Sequence, residues 1–338
     1  MTMGGSPVSV TVVGGYLGAG KTTLLNHLLR QCGDAGAGAG GGLGVIVNDF
    51  GSINIDAELV VGVDRDLVQL GNGCICCSIQ DDLVQAMRRL LDSPTPPRRV
   101  IIEASGVSDP RRVAAALEQQ VSRDMAVVDA VVVVVDAEHY LGLGLRDRIV
   151  AGGQIGAADI LVLNKVDLVD DAALDALDER LRRKSRGGRV VRASYGRVPA
   201  ALVLGATGPR AQEPDTSESL DVHVHVHEPA DGGHVHVHDH DHHADHGLSY
   251  WTWSFRSERP LSSRRLRRAV DELPAAVVRA KGTVYLAAHP ETRAVMHVVG
   301  RRAELSLDEP WGQRPAATGL VVIGTGEPLP ARRLEQMF

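Results

Sequence analysis

The residues GYLGAGKT at positions 15–22 constrain the fold of this chain more than any other feature of its sequence. They match the pattern G-x-x-x-x-G-K-[ST], and they lie between an apolar run at 8–13 and an apolar, helix-like stretch at 23–29. A strand, a glycine-rich loop and a helix in this order place backbone N–H groups and a helix N-terminus around phosphates. The motif therefore predicts an α/β domain that binds a nucleotide.

Each residue type in this loop has a chemical role in that prediction. The Lys21 ammonium neutralises the β- and γ-phosphates, and the Thr22 hydroxyl ligates Mg²⁺. Lysine is scarce in this chain, because only four of its 36 basic residues are lysine, and Lys21 is one of them. The residues of this loop that we assign to the nucleotide are Gly15, Gly18, Ala19, Gly20, Lys21, Thr22 and Thr23.

Strand-like and helix-like stretches alternate over the first 200 residues. The apolar runs lie at 8–13, 45–47, 100–102, 127–135, 160–163 and 190–191, and the amphipathic stretches lie at 81–91, 111–120 and 172–183. This alternation favours a mainly parallel sheet with both faces covered by helices. The valines at 131–135 are typical of a central strand that is buried on both sides.

The composition changes after residue 206 and again after residue 247. Residues 207–247 are rich in Pro, Asp, Glu and His, so we interpret them as a linker or mobile loop. Beyond them, strand-like runs lie at 250–255, 284–287, 295–299 and 320–323, and helix-like runs lie at 262–273 and 330–337. The sequence thus predicts a nucleotide-binding domain over 1–206, a His-rich linker over 207–247 and a small α+β domain over 248–338.

Charge and hydropathy exclude several classes of protein. With 36 basic and 42 acidic residues, the formal charge of −6 lacks the positive surface that general nucleic-acid binders need. The longest uninterrupted apolar run, 130–135, is far shorter than the roughly 20 residues that cross a bilayer. Residues 1–10 lack the basic region and apolar core of a signal peptide. We expect a cytoplasmic protein with neither nucleic-acid nor membrane partners.

The residues NKVD at 164–167 follow the apolar run at 160–163 and predict the identity of the base. The Asp167 carboxylate accepts hydrogen bonds from guanine N1–H and from the exocyclic amine, and adenine offers neither donor at those positions. Sites that depend on such pairing discriminate by ~10⁴–10⁵. Asn164 is expected to brace the loop, and the stem of Lys165 is expected to cover the base. The predicted nucleotide is therefore GTP.

The residues RVIIEASG at 99–106 form a strand that ends in an acidic residue, followed three positions later by a glycine. Glu103 has two open roles, since it can act on Mg²⁺ or on the attacking water. Gly106 is expected to turn its backbone amide toward the γ-phosphate. This segment supplies the third element of the predicted nucleotide site.

Three of the four cysteines lie in the segment GNGCICC at 71–77. In an extended segment Cys74 and Cys76 project to the same side, and Cys77 follows on a turn or helix start. Three thiolates leave a tetrahedral Zn²⁺ with one open position, which suits a site that hands its metal onward. Buried inert cysteines and a disulfide or redox role stay open as alternatives. We interpret Cys32, His27 and His139 as structural.

Ten of the 14 histidines lie between positions 223 and 246. Neutral imidazoles bind Zn²⁺, Ni²⁺ and Cu²⁺, and the six acidic residues between positions 221 and 245 keep this segment solvated and add oxygen ligands. The alternative is a solvated, low-complexity loop without a metal-handling role. The histidines that we assign to metal are His223, His225, His227, His234, His236, His238, His240 and His242.

These motifs together resemble the CobW-like family of P-loop GTPases, whose members serve as metal chaperones. The segments that carry the resemblance are GGYLGAGKTT at 14–23, VNDFG at 47–51, GNGCICC at 71–77, EASG at 103–106 and NKVD at 164–167, and residues 273–282 resemble the family's second domain. The resemblance implies a Rossmann-like P-loop GTPase domain followed by a small α+β domain.

Two positions depart from the family pattern in the segment that resembles switch I. The family usually carries glutamate where this chain has Asp49 and, three residues later, Ser52. The resemblance implies that Asp49 contributes to catalysis and to metal or Mg²⁺ coordination, with a shorter reach than glutamate. Ser52 offers no carboxylate in place of the usual ligand.

The function that the resemblance implies is a GTP-hydrolysing metallochaperone. It would bind zinc through the CxCC motif and deliver it to a client metalloprotein in a nucleotide-dependent way, with GTP, Mg²⁺ and Zn²⁺ as cofactors. Two alternatives stay open. One is a GTPase that handles cobalt for corrinoid synthesis, and the other is a His-rich protein that buffers zinc while GTP turnover is incidental.

Overall fold

A computed structural model describes residues 7–34, 42–47, 67–69, 78–94, 96–185, 187–205, 234–238 and 250–338 of the chain. The chain divides into two compact units, of which the first includes Met1–Gly205 and the second includes Ser249–Phe338. The domain limits expected from composition, 1–206, 207–247 and 248–338, stay a prediction.

The first unit alternates strands with helices. Its described strands are β1 (Val8–Gly15), β2 (Leu43–Val47), β3 (Leu67–Gln69), β4 (Arg99–Glu103), β5 (Ala126–Asp136), β6 (Ile160–Asn164) and β7 (Arg189–Ala193). Its described helices are α1 (Lys21–Asp34), α2 (Ser78–Leu91), α3 (Pro110–Gln120), α4 (Leu145–Ile155), α5 (Asp171–Lys184) and α6 (Ala200–Leu204).

These seven strands form one sheet in the order β3-β2-β4-β1-β5-β6-β7, and every described pairing is parallel. The parallel α/β architecture predicted from the sequence is confirmed. Strand β1 is central, with β4 on one side and β5 on the other, so the strand order reverses around it. In open parallel sheets the crevice at such a reversal, beyond the carboxyl ends of the strands, is where ligands bind.

Both faces of the central strands are buried. Val12 of β1 and Val133 of β5 belong to one apolar cluster, and they are 0% and 1% exposed. Their chain neighbours Val13 and Val132 are also fully buried, although successive strand residues point to opposite faces. This burial on both faces explains why residues 130–135 of β5 are all apolar and show no alternation with polar residues.

A short polar residue, Asp109, defines where helix α3 begins. The Asp109 carboxylate accepts a hydrogen bond from the Arg111 amide, and Pro110 occupies the first turn of α3, where its missing N–H costs nothing.

Helix α4 was not predicted, because Gly152 and Gly153 weaken its helical propensity. Within the described residues, no helix has the length and apolar character of a membrane span.

The second unit is an antiparallel sheet with two helices. Its described strands are β8 (His234–His238), β9 (Tyr250–Ser257), β10 (Val277–Val284), β11 (Thr292–Val299), β12 (Arg302–Pro310) and β13 (Thr318–Thr325), and its described helices are α7 (Ser263–Asp271) and α8 (Ala331–Met337). The strand order is β12-β11-β10-β13-β9-β8, with antiparallel pairing throughout. The predicted α+β class is confirmed.

Three strands of this unit differ from expectation. The strand expected at 284–287 is wrong, because β10 ends at Val284 and Leu286 makes only an isolated bridge to Leu261. Strand β12 was not predicted, since all nine of its residues are exposed and no core-facing alternation is visible. Strand β8 lies inside the segment interpreted as a linker or loop, where alternating His and Val are compatible with a strand at the sheet edge.

Aromatic side chains fill the core of the second unit. Trp251 and Trp253 of β9 are fully buried, with Leu266 of α7 and Leu334 of α8 in the same cluster. The Trp253 ring stacks on Phe255, with 5.5 Å between the ring centroids. These contacts account for the two helices packing on this sheet.

Candidate nucleotide-binding site

The loop between β1 and α1, called the phosphate loop below, adopts a backbone conformation that depends on glycine. Gly15, Gly18 and Gly20 have φ angles of +141°, +72° and +99°. A Cβ on Gly15 would lie 2.4 Å from the Val134 carbonyl oxygen, and one on Gly20 would lie 2.4 Å from Asn164 Nδ2. A Cβ on Gly18 would meet nothing within 4 Å. The loop is therefore packed tightly at both ends and open at Gly18, as a phosphate cradle requires.

Lys21 is the first residue of α1, and it combines a cation with the positive end of a helix. The residue is only 8% exposed, and its Nζ donates a hydrogen bond of 3.4 Å to the Tyr16 carbonyl oxygen within the loop. The unpaired N–H groups at a helix N-terminus add partial positive charge beside this ammonium. The arrangement suits a polyphosphate.

The side chains of Thr22 and Glu103 meet at the carboxyl ends of β1 and β4. Thr22 Oγ1 donates a hydrogen bond of 3.0 Å to Glu103 Oε1, and Glu103 is 2% exposed. The strand register explains this contact, because Val13 lies opposite Glu103 and the loop follows directly. A hydroxyl and a carboxylate are oxygen ligands of the kind that Mg²⁺ prefers, so the residues fit that ion.

Gly106 lies against the phosphate loop. The Ala104 amide donates to the Val13 carbonyl oxygen at 2.8 Å, which continues the sheet ladder into the segment after β4. A Cβ on Gly106 would lie 3.0 Å from the Leu17 backbone nitrogen and 2.6 Å from its Cδ2. Glycine therefore permits a close approach that brings Gly106 to the loop, where the sequence predicts a γ-phosphate contact.

Asn164 joins three loops through its buried carboxamide. Its Nδ2 donates to the Ala19 carbonyl oxygen at 3.0 Å, and its Oδ1 accepts from the Gly196 amide at 2.9 Å. The side chain is 2% exposed, so both bonds are shielded from water. These contacts connect the phosphate loop, the end of β6 and the turn after β7.

Lys165 pairs with a carboxylate at the end of the neighbouring strand. Lys165 has a left-handed φ of 62°, and its Nζ lies 2.7 Å from Asp136 Oδ2. Asp136 also accepts hydrogen bonds from the Glu138 and His139 amides, each at 3.0 Å. Burial raises the pKa of Asp136, but the bonds from Lys165 and His139 outweigh it, so the pKa lies below its usual value. Asp167 lies two residues further along and is exposed.

Sequence reasoning missed two features of this site. Asp136 ends the longest apolar strand, as Glu103 ends β4, and a charged residue at the end of a buried strand is the signal that would have found it. The turn after β7 has left-handed φ angles at Tyr195 (54°) and Gly196 (65°), and a Cβ on Gly196 would lie 2.7 Å from the Leu24 nitrogen of α1. Only the fold brings that turn to the loop.

Most of the predicted metal ligands fall outside the described residues. Those outside are Asp49, Cys74, Cys76, Cys77, His223, His225, His227, His240 and His242. Three further histidines, His234, His236 and His238, lie in β8, opposite Ser254, Thr252 and Tyr250 of β9. Their assignment to metal stays a prediction.

The residues interpreted as structural lie within the first unit. The Cys32 thiol in α1 is half-buried, and burial raises its pKa. His27 lies one turn before Gln31, whose Nε2 is 2.9 Å from His27 Nε2. Burial and the charge of Arg197 lower the pKa of His27. His139 is exposed, and its Nδ1 lies 3.1 Å from the Asp136 carboxylate at the site itself.

The sequence matches the family model "CobW/HypB/UreG, nucleotide-binding domain" over residues 9–192. It also matches "Cobalamin synthesis protein cobW C-terminal domain" over residues 250–338. The first match alone covers more than half of the chain. The chain belongs to the CobW/HypB/UreG family. The resemblance drawn from the motifs is thereby confirmed.

Relatives of this CobW/HypB/UreG protein include two bacterial proteins named for zinc. The zinc chaperone CobW of Sinorhizobium sp is 35% identical over 226 residues, which are 59% of this chain and 62% of that protein. The zinc chaperone YjiA of Escherichia coli (strain K12) is 29% identical over 328 residues, which are 94% of each chain. The match thus spans less than two thirds of the first relative and nearly all of the second.

A eukaryotic relative is also similar over most of the chain. The zinc-regulated GTPase metalloprotein activator 1 of Dictyostelium discoideum is 26% identical over 341 residues, which are 86% of this chain and 66% of that protein. The similarity therefore extends well beyond the phosphate loop.

Proposed function

We propose that this CobW/HypB/UreG protein is a GTPase that binds zinc through Cys74, Cys76 and Cys77 and delivers it to a client metalloprotein. The observation that carries the proposal is the contact of Thr22 with Glu103, since it joins the phosphate loop to a carboxylate at the end of β4. The names of the relatives, two zinc chaperones and a zinc-regulated GTPase, support zinc as the cargo.

The hydrolysis step depends on residues that meet at the carboxyl ends of β1 and β4. A water oxygen attacks the γ-phosphorus, the bond to the β,γ-bridging oxygen breaks, and GDP, phosphate and a proton are released. Lys21 holds the β- and γ-phosphates, and Gly106 offers its amide to the γ-phosphate. Thr22 and Glu103 would hold Mg²⁺, which when bound neutralises charge on the phosphate oxygens.

The loop after β6 selects guanine in this proposal. Asp167 is exposed in a short turn, where its carboxylate is accessible to a base. Asn164 stabilises that loop by a hydrogen bond to the phosphate loop, and Lys165 stabilises it by pairing with Asp136. An incoming adenine would leave the Asp167 carboxylate without a donor, so GTP is the favoured nucleotide.

Delivery of zinc requires that the nucleotide alters the metal site. The CxCC segment lies in sequence between Asp49 and Glu103, and both flanking segments belong to the proposed nucleotide site. Zinc binds thiolates, so fixed charges near the three cysteines set its affinity. If GTP changes that affinity, zinc must change the affinity for GTP by the same factor.

Competition against a chromophoric zinc chelator tests this coupling on the full chain. We expect the zinc affinity to differ by about tenfold between the states with a non-hydrolysable GTP analogue and with GDP, which is ~1.4 kcal/mol of coupling. The matched control replaces Cys74, Cys76 and Cys77 with serine and leaves every histidine in place. The nucleotide-dependent difference should vanish in that variant.

Two outcomes would favour other functions. Equal zinc affinities in both nucleotide states, with binding that survives the serine variant, would favour a zinc buffer based on the ten histidines between positions 223 and 246. Tighter nucleotide-dependent binding of Co²⁺ than of Zn²⁺ would favour a GTPase that handles cobalt. Thiolates favour zinc, but imidazoles accept both metals.

A further inference from the structure

Gln154, in the last turn of α4, lies against the segment that follows β4 and contains Gly106 and Ser108. The side chain is 2% exposed, and its Nε2 donates hydrogen bonds to the Gly106 carbonyl oxygen at 3.0 Å and to the Ser108 carbonyl oxygen at 2.8 Å. Sequence separations of 48 and 46 residues make both contacts purely tertiary. No motif in the sequence points to this residue.

The two bonds identify which end of the carboxamide faces the loop. Both neighbours are carbonyl oxygens, so only the NH₂ group can face them, and both of its N–H groups are used. The other end, Oε1, is buried and accepts no hydrogen bond from the part of the chain that the structure describes. Burying an acceptor in this way is unfavourable.

The same helix also holds the phosphate loop. The Tyr16 phenol forms a hydrogen bond with Asp147 of α4, and this bond, more than burial, raises the pKa of Tyr16. A cavity of about 240 Å³ is lined by residues of both elements, among them Tyr16 and Leu17 of the phosphate loop and Gln154 of α4.

The orientation of one peptide group follows from the Gln154 contact. The peptide between Gly106 and Val107 is trans, so its C=O and N–H groups point in opposite directions. Because Gln154 holds the carbonyl oxygen, it fixes the plane of this peptide and with it the ψ angle of Gly106, the residue whose own N–H is proposed to contact the γ-phosphate. On its other side Gly106 lies against Leu17 of the phosphate loop.

We propose that Gln154 is a positioning residue, which anchors the Gly106 carbonyl oxygen and so holds Gly106 where its own N–H responds to a γ-phosphate. The inference rests on the proposed GTPase function and deepens it, because it names the residue through which α4 supports nucleotide discrimination. Gln154 itself touches neither the nucleotide nor the reacting atoms in this scheme; it acts through Gly106.

The test compares Gln154→Met with Gln119→Met, a matched change at an exposed position of α3. Methionine keeps the length of the side chain but donates no hydrogen bond. We expect Gln154→Met to weaken binding of a non-hydrolysable GTP analogue about tenfold and that of GDP less than about twofold, with Gln119→Met unchanged. Equal weakening of both nucleotides, or of neither, would overturn the proposal.

A second variant keeps the test valid if Gln154→Met folds poorly. Gln154→Glu places a carboxylate against two carbonyl oxygens, so burial and these contacts favour its neutral form and raise its pKa. Once protonated it donates one hydrogen bond. The analogue-to-GDP affinity ratio of Gln154→Glu should therefore recover toward wild type as the pH falls from 8 to 6, whereas the wild-type ratio stays level. A ratio that does not recover contradicts the positioning role.

Hydrogen exchange separates this inference from the proposed function. Without any nucleotide, amide exchange in a peptide covering residues 103–110 should be faster in Gln154→Met than in wild type and in Gln119→Met. If wild type binds GTP but does not hydrolyse it, the GTPase proposal fails while the affinity and exchange results still decide the role of Gln154. Unchanged exchange at 103–110 would count against Gln154 alone.

Discussion

The Thr22 hydroxyl lies 3.0 Å from the Glu103 carboxylate, although 81 residues separate them in the chain. Parallel pairing of β1 with β4 causes this proximity, because Val13 and Glu103 are register partners at the carboxyl ends of their strands. The contact places a hydroxyl from the helix start beside a buried carboxylate. Both residues belong to the proposed hydrolysis site.

Replacing Glu103 with glutamine should separate catalysis from binding. The substitution keeps the shape of the side chain and a hydrogen-bond acceptor for Thr22 but removes the charge. We expect GTP turnover to fall about 10²–10³-fold, with GTP affinity changed less than about fivefold. Steady-state phosphate release and equilibrium binding of a fluorescent GTP analogue measure the two quantities.

Two substitutions of Thr22 test the role of its hydroxyl in turnover. Thr22→Ser keeps the hydroxyl, whereas Thr22→Val keeps the shape and removes it. Turnover should survive in the serine variant and be lost with valine in the presence of Mg²⁺. Similar turnover in both variants would show that the hydroxyl does not take part.

Two glycines of the phosphate loop should differ in their tolerance of alanine. A Cβ on Gly20 would lie 2.4 Å from Asn164 Nδ2, whereas one on Gly18 would meet nothing within 4 Å, and both residues have positive φ. We expect Gly20→Ala to destabilise the first unit by about 2–4 kcal/mol and Gly18→Ala by about 1 kcal/mol. Urea unfolding without nucleotide, followed by circular dichroism, measures both.

An internal control is available for that experiment. All three tryptophans, Trp251, Trp253 and Trp311, lie in the second unit. The transition seen by tryptophan fluorescence therefore reports on a different part of the chain from the substituted loop. Equal losses for the two alanine variants would contradict the steric argument.

The pairing of Asp136 with Lys165 should give stability that depends on pH. The pKa of Asp136 is lowered in the folded protein, so the ionised carboxylate stabilises the native state. That contribution is present above the unfolded-state pKa of about 3.9 and is lost as the pH falls through the folded-state pKa. Asp136→Asn should cost about 1–3 kcal/mol of unfolding free energy at pH 7 and progressively less below about pH 4.

Asp175→Asn is the control for this prediction. Asp175 pairs with Arg192 at 2.6 Å, but its side chain is 73% exposed against 11% for Asp136. An exposed pair contributes about 0–1 kcal/mol, so that variant should change stability little at any pH. A loss for Asp136→Asn that is the same at pH 7 and pH 3.5 would show that shape, not charge, is responsible.

Asp167 should carry the preference for guanine. In Asp167→Ala we expect the ratio of GTP to ATP affinity to collapse toward one, because the donors of guanine lose their acceptor. Lys21→Ala should instead abolish binding of both triphosphates, and Asp171→Ala, an exposed carboxylate nearby in sequence, should change neither. Wild-type hydrolysis of GTP and ATP at equal rates would contradict the assignment.

Local sequence was enough to predict the phosphate loop and the parallel sheet around it. Glycine spacing at Gly15 and Gly20, the lysine and threonine that follow, and a strand-like run before them all act within a few residues of the chain. The valines of β5 indicated a strand buried on both faces. In each case the determining interaction is between neighbours in sequence, or the burial leaves a pattern that periodicity reveals.

Strand β12 and helix α4 could not be predicted from local sequence patterns. All residues of β12 are exposed, so pairing with β11 holds it in the sheet without a buried face that would mark the sequence. Helix α4 contains Gly152 and Gly153, which disfavour a helix locally. Tertiary contacts outweigh the low propensity there, among them the bonds from Gln154 to the carbonyl oxygens of Gly106 and Ser108.

The sequence by itself determined the family, the class of fold and which residue types bear the chemistry, because motifs and periodicity are properties of short stretches. Only the tertiary structure decided that Thr22 meets Glu103, that Lys165 meets Asp136 and that Gln154 supports Gly106. These pairs lie 29 to 81 residues apart. Their contacts arise from strand register and helix packing, which bring distant side chains together only after the sheet has formed.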